Sequence, residues 1–287
     1  MRLQIDNLSF SYDNDKILKN IYMKIHRGEF IGIIGANGSG KSTLLRSLYG
    51  TLTPAAGCAM LDGKNLLTMR KKEAASHVGV MSQENHIPFD FTVEEIVAMG
   101  RTPHKRLFQG DTKEDKKIIN NALKRLGLED MAKKDYGQLS GGEKQRVLLA
   151  RVVAQESDFL FLDEPANHLD IGYQIQFFDL VKQLGVTVLA AMHDLNMAAL
   201  YCDRIYALKE GKIYSSGTPK EVLTSETIYE LFRARSFVDY NDTMKSLSIS
   251  FLPESIYHER EKPNETKEYD KIGNYSRYPV SDIRIVQ

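Results

Sequence analysis

The sequence predicts an α/β fold: a mainly parallel sheet core, an antiparallel β part at its N-terminal end and a helical subdomain inserted between strands. Three observations carry that expectation. Apolar runs of strand length alternate with amphipathic helical patterns along most of the 287 residues. One run, Phe30 to Ile34, opens directly into Gly35-Ala36-Asn37-Gly38-Ser39-Gly40-Lys41-Ser42, so strand, glycine-rich loop and helix follow one another. The stretch from about 88 to 155 has helical periodicity and no strand pattern.

The elements follow in order. Residues 1–10 alternate apolar and polar, as a half-buried strand does; Ile21 to Ile25 alternates again before a turn at Arg27-Gly28. Phe30 to Ile34 is apolar throughout, the pattern of a strand covered on both faces. Lys41 to Gly50 reads as a helix with Leu44, Leu45 and Leu48 on one side. Cys58 to Leu61 and Val78 to Ser82 are further strands; Val93 to Met99 and Lys116 to Leu126 are helices of the insert. Phe159 to Leu162 and Val186 to Met192 are buried strands separated by a helix from Tyr173 to Leu184, followed by a helix at Leu195 to Tyr201 and a strand at Ile205 to Leu208. Composition shifts near Arg235, which divides a domain at 1–235 from an extension at 236–287 that is partly strand. Residues 259–271 hold nine charged residues in thirteen, plus Pro263, so the chain is expected to be mobile from about 253.

Bulk properties narrow the function. Lys+Arg and Asp+Glu balance at 38 each, which offers no basic stripe for nucleic acid. The two cysteines, Cys58 and Cys202, have no metal-ligand spacing and fit a reducing compartment as small buried hydrophobes. Asp6 interrupts any leader-like apolar stretch, and no run reaches the ~18–20 apolar residues of a membrane span. A soluble protein is expected, with any membrane role exerted through a partner.

Gly35-x-x-x-x-Gly40-Lys41-Ser42 has the full phosphate-loop pattern. Glycines let backbone amides turn inward around an anion, and the helix from Lys41 aims its positive end at it. Gly35, Asn37, Gly38, Ser39, Gly40, Lys41, Ser42 and Thr43 form the candidate nucleotide-binding set, with Lys41 reaching phosphates and Ser42 holding Mg²⁺. Phe159 to Leu162 delivers Asp163-Glu164 to the sheet edge where α/β proteins bind ligands. Asp163 is the candidate Mg²⁺ ligand and Glu164 the candidate general base; Pro165 leaves open a helix N-cap pair. His193 ends the next strand and has a structural alternative, as does Tyr12 as a packed turn residue. In Leu139-Ser140-Gly141-Gly142-Glu143, Ser140 and Glu143 form a capping box, so a helix begins there, and the two glycines admit a close surface.

The ordered set of phosphate loop, LSGGE and Asp163-Glu164 resembles the ABC ATPases, P-loop NTPases of that type. The resemblance spans roughly residues 1–230 and implies an ATPase using ATP and Mg²⁺. It implies that Tyr12 stacks on adenine, that Gln83 senses Mg²⁺ and water, and that His193 contacts the γ-phosphate and positions Glu164. It further implies that Ser140, Gly141 and Gly142, with Asp170 in the nearby loop, face the nucleotide of a second copy. Thr92-Val93-Glu94-Glu95-Ile96-Val97-Ala98-Met99-Gly100-Arg101-Thr102-Pro103-His104 is similar to ATPases of siderophore, haem and cobalamin importers, as are Pro165 to Ile171 and Met192 to Asn196. The partners so implied are a homodimer of ATPase subunits, a multi-spanning permease and, indirectly, an extracytoplasmic substrate-binding protein, with no nucleic acid. The location implied is the cytoplasmic face of the membrane. A soluble ATPase of iron–sulfur assembly type and an importer for zinc or manganese stay open as alternatives.

Overall fold

The computed structural model describes residues 1–13, 15–82, 91–106, 109–167 and 169–253. The chain divides into two compact units, Met1–Phe251 and Leu252–Gln287; the fold described is that of the first. The expected mobile stretch beyond 253 lies outside the described residues.

β1 (Leu3–Tyr12) and β2 (Asp15–Ile25) form an antiparallel pair, which β4 (Ala56–Leu61) and the short β5 (Lys64–Asn65) extend to a four-stranded sheet of order β2-β1-β4-β5. β3 (Phe30–Ile34) belongs to a second sheet. With β6 (Val78–Met81), β7 (Phe159–Asp163), β8 (Thr187–Ala191), β9 (Arg204–Lys209) and β10 (Lys212–Gly217) it gives the order β10-β9-β3-β8-β7-β6. The pairings β9·β3, β3·β8, β8·β7 and β7·β6 are parallel, and β10 is the antiparallel edge. β11 (Arg235–Asn241) and β12 (Ser246–Leu252) make a separate two-stranded ribbon. Alternating runs gave half-covered strands and continuous apolar runs gave central ones, as the two-residue period of side-chain direction requires.

That period also explains why β3, β7 and β8 are buried at every position. Ile31, Ile33, Phe159, Phe161, Leu189 and Ala191 belong to one buried cluster, shared with α1 (Lys41–Leu48) and the inner residues of β1 and β2. Phe30, Ile34, Leu160, Leu162, Val188 and Ala190 belong to a second, shared with the inserted helices and with α6 (Ile171–Gln183) and α7 (Leu195–Tyr201). Each strand thus holds two cores together. Arg2, buried at 2% exposure, bonds Asp62 after β4 and Asp158 before β7, which fastens the antiparallel sheet to the parallel one.

Between β6 and β7 stand α3 (Val93–Met99), α4 (Lys113–Arg125) and α5 (Gly141–Ala154), preceded in the chain by the short α2 (Lys71–His77). α3, α4 and α5 each begin with a reciprocal capping box: Thr92 with Glu95, Thr112 with Asp115, and Ser140 with Glu143. Arg101 closes the insert from within. Its guanidinium bonds Asp115 at 2.9 Å, the Ala154 carbonyl at 2.8 Å and Glu156 at 2.7 Å, so the start of α4 is tied to the end of α5. A methyl group on the neighbouring Gly100 would lie 2.1 Å from the Arg151 carbonyl oxygen, so only glycine fits this approach. The segment from Thr92 to His104, read in the sequence as a helix and a resemblance, is therefore also a structural clasp.

α8 (Pro219–Val222) and α9 (Ser225–Phe232) complete the unit before β11. Cys202 is buried as expected, but Cys58 is only half-buried, because it lies in β4 of the half-covered sheet. Among the described residues no helix is long and apolar enough to cross a membrane.

Candidate functional site

Parallel strands deliver their C-terminal ends to one edge, and register decides which residues meet there. Ile33 of β3 and Asp163 of β7 both pair with Ala191 of β8. Three loops therefore start side by side: the glycine-rich loop after β3, the turn at Glu164 after β7, and the His193 turn after β8. The Met192 amide donates to the Ile33 carbonyl at 2.9 Å, which extends the register to the residue before His193.

The glycine-rich loop wraps Lys41. Its ammonium donates to the carbonyls of Gly35 at 2.8 Å and Ala36 at 3.2 Å, and burial lowers its pKa against the opposing pull of Glu164 and Asp163. Gly35 has no alternative: a Cβ there would lie 2.2 Å from the Leu208 carbonyl oxygen. Gly38 (φ 77°) and Gly40 (φ 107°) take left-handed conformations, and Gly40 is the uncapped N-terminal residue of α1. With no side-chain capping hydrogen bond among the described residues, the amides of that helix end are left for an anion.

Ser42 donates to Asp163 Oδ1 at 2.8 Å. Asp163 is 1% exposed, and its Oδ2 is buried without a hydrogen-bond partner among the described residues. Burial is the main cause that raises its pKa; the Ser42 hydrogen bond opposes this and the Glu164 charge adds to it. A buried carboxylate with an orphan oxygen beside a hydroxyl is a hard oxygen-donor set, which fits Mg²⁺. Glu164 adopts φ 53°, a left-handed conformation uncommon for a non-glycine residue, and this turns its carboxylate toward the loop cavity. Asn167 Nδ2 donates to Glu164 Oε2 at 2.6 Å, and His193 Nε2 contacts Glu164 Oε1. Asp163 and Glu164 do not cap a helix; the next helix, α6, starts at Ile171 with Asp170 as its exposed N-cap residue.

One cavity gathers Tyr12, Ile17, Asn37, Gly38, Gly40, Lys41, Ser42, Thr43 and Glu164. Tyr12 is half exposed, resting edge-on against Phe10 at 4.8 Å between centroids, so it is a cavity wall and no packed turn residue. Ser39 is buried inside the loop, its hydroxyl also unpartnered among the described residues. Gln83 lies outside the described residues, as does His168.

Ser140, Gly141 and Gly142 do not line that cavity. Ser140 caps α5, donating its hydroxyl to Glu143 Oε2 at 2.8 Å, while Ser140 and Gly141 are exposed. Gly142 is buried, because the ring of Tyr173 from α6 lies over it; a Cβ would come 2.5 Å from Tyr173 Cδ1. The close approach expected at these glycines is met, at Gly142, by this chain's own tyrosine.

A family profile described as ABC transporter matches residues 18–167. The chain belongs to the ABC transporter family. This ABC transporter family member is 40% identical to the ferric enterobactin transport ATP-binding protein of Escherichia coli over 83% of its own length and 89% of that protein's. It is 37% identical to the cobalamin import ATP-binding protein of Halobacterium salinarum, covering 88% of itself and 64% of that longer relative. Among solved structures, an inward-facing metal-chelate type ABC transporter superposes with TM-score 0.78 at 27% identity, covering 89% of this chain and 98% of that one. A dimeric ATP-binding cassette in a post-hydrolysis state with ADP and Pi superposes with TM-score 0.66 at 29% identity, over 76% and 98%.

In this ABC transporter family member two contributors were not legible in the sequence: the left-handed backbone at Glu164 and the Asn167 amide on its carboxylate. Only the local Glu164-Pro165-Ala166-Asn167 spacing, a turn closed by Asn167 N–H on the Glu164 carbonyl at 3.3 Å, carried a signal for the second.

Proposed function

We propose that this chain is the ATP-binding and ATP-hydrolysing subunit of an importer for a cargo of the iron-siderophore, haem or cobalamin class. Residues 1–235 are its ATPase domain, with the insert at about 88–155, and 236–287 its extension. The observation that carries the reading is the convergence of Lys41, Ser42, Asp163, Glu164 and His193 on one sheet edge while the LSGGE helix end stays outside that cavity.

The residues divide the work. Tyr12 offers an aromatic face to the base. Lys41, held in desolvated form by two carbonyls, exchanges them for phosphate oxygens, where its charge is better compensated. Ser42 and Asp163, with Gln83, would hold Mg²⁺, which would supply charge neutralisation on the phosphates. Glu164 takes the proton of the attacking water, and Asn167 and His193 fix its two oxygens. Ser140, Gly141 and Gly142, with Asp170, complete the site of a second copy head-to-tail, and closure of the pair moves a membrane permease. The ferric enterobactin and cobalamin relatives support the cargo class.

Glu164→Gln is expected to bind MgATP normally and lose at least ~100-fold in turnover, since general-base catalysis contributes on that scale. Near-normal turnover would remove Glu164 from the role. A pull-down from solubilised membranes is expected to recover a multi-spanning permease with an extracytoplasmic binding protein; recovery of soluble assembly proteins instead would overturn the importer reading.

A further inference from the structure

His193 reaches Glu164 from a turn that has few anchors of its own. Its side chain is about one-third exposed, and the residue before it is tied to Ile33. The residue after it, Asp194, accepts from the amides of Asn196 at 2.8 Å and Met197 at 3.0 Å, which fixes the start of α7. Asn196 then makes a contact that neither the nucleotide site nor the helix needs. Its Nδ2 donates to the Ile249 carbonyl at 3.2 Å, and its Oδ1 accepts from the Ile249 amide at 2.8 Å. A side-chain amide has the donor and acceptor of a peptide group, so this is a two-point bridge of the kind one strand residue offers another. Ile249, on β12, is 5% exposed and belongs to the same buried cluster as Met192, Leu195 and Met197. The bridge is thus backed by apolar packing on both sides of His193.

We propose that Asn196 is a positioning residue for hydrolysis: it anchors the His193 turn to the β11–β12 ribbon and thereby holds the imidazole on Glu164. The proposal rests on the reading of Glu164 and His193 as the hydrolytic pair. It makes the ribbon, far along the sequence from every nucleotide motif, part of the apparatus that sets the turnover number. The bridging geometry favours asparagine over aspartate, whose second oxygen would face the Ile249 carbonyl with no proton to donate.

The test is steady-state MgATP hydrolysis by the full chain, as wild type, Asn196→Ala, Asn196→Asp, His193→Ala and the His193→Ala/Asn196→Ala double variant. Asn196→Ala is expected to lower kcat about 5–20-fold with KM for ATP changed less than about 2-fold, because the phosphate loop is untouched; two lost hydrogen bonds are of that order. Asn196→Asp is expected to fall between it and wild type, and it serves if the alanine variant does not fold. In the His193→Ala background the second substitution is expected to have no further effect on residual turnover. A multiplicative effect in the double variant, a change confined to KM, or wild-type kcat in both Asn196 variants would overturn the proposal while leaving the hydrolytic reading intact. A wild-type chain without ATPase activity would overturn both.

Discussion

Asp163 concentrates the tension of the site in one side chain. It is buried, burial pushes its carboxyl above the usual range, and one of its oxygens has no hydrogen-bond partner among the described residues. An unpartnered buried polar atom costs about 1–3 kcal/mol. Asparagine keeps a polar group at that orphan position but cannot ionise, so Asp163→Asn removes the penalty of burying a charge and is expected to raise the stability of the ligand-free protein. It should also weaken Mg²⁺-dependent nucleotide binding by at least about 10–100-fold, the scale of damage to a metal's surroundings. Thermal unfolding with and without MgATP measures both; a variant that loses stability without ligand would contradict this account. The phosphate loop could be read directly from the sequence because glycine is demanded at 35, where a Cβ would meet the Leu208 carbonyl, and favoured at 38 and 40 by their positive φ. Glu164 could not, since nothing in its residue type announces a positive φ. The hydrogen bond from Ser42 to Asp163 links residues 121 positions apart and depends on the pairing of β7 with β8 and β8 with β3.

At the scale of elements, the inserted helices are held by charge as well as by apolar contact. Asp115 is both the capping partner of Thr112 and the ion-pair partner of buried Arg101. The Thr112 hydroxyl and amide, then the Arg101 guanidinium, hold its carboxyl far below the usual range. A depressed folded-state pKa contributes stability above the unfolded value of ~3.9 and loses it as pH falls below that value. Wild type is thus expected to lose stability below pH ~4 more steeply than Asp115→Asn, seen in urea midpoints across that range. Arg101→Ala, which strands Asp115 and frees the Ala154 carbonyl, is expected to cost about 3–5 kcal/mol. An effect below ~1 kcal/mol would mean that the clasp is idle. The helices of the insert were legible from periodicity and capping residues. The clasp was not, because charged residues on helical segments ordinarily face water. α8, α9 and the β11–β12 ribbon were also poorly legible: the helices are four and eight residues long, and Phe237, Tyr240 and Phe251 on the ribbon are exposed, so apolar periodicity says little there.

At the scale of the molecule, two buried clusters share one sheet, so a ligand that orders the edge where β3, β7 and β8 end touches residues rooted in both. The exposed start of α5 stands apart from the cavity those strands create. Ser140→Arg places bulk and charge there, and is expected to leave ATP binding by one chain unchanged while abolishing nucleotide-dependent pairing in the Glu164→Gln background. Sedimentation with and without MgATP distinguishes the two, and loss of single-chain binding would sink the trans assignment.

That separation of helix end and cavity has a consequence in the rate law. On the proposed pairing, a catalyst that carries its second half on another molecule is second order in itself when dilute. Specific activity of the isolated chain is expected to rise with its concentration and level off once pairing saturates, and a line flat from nanomolar upward would mean that one chain suffices.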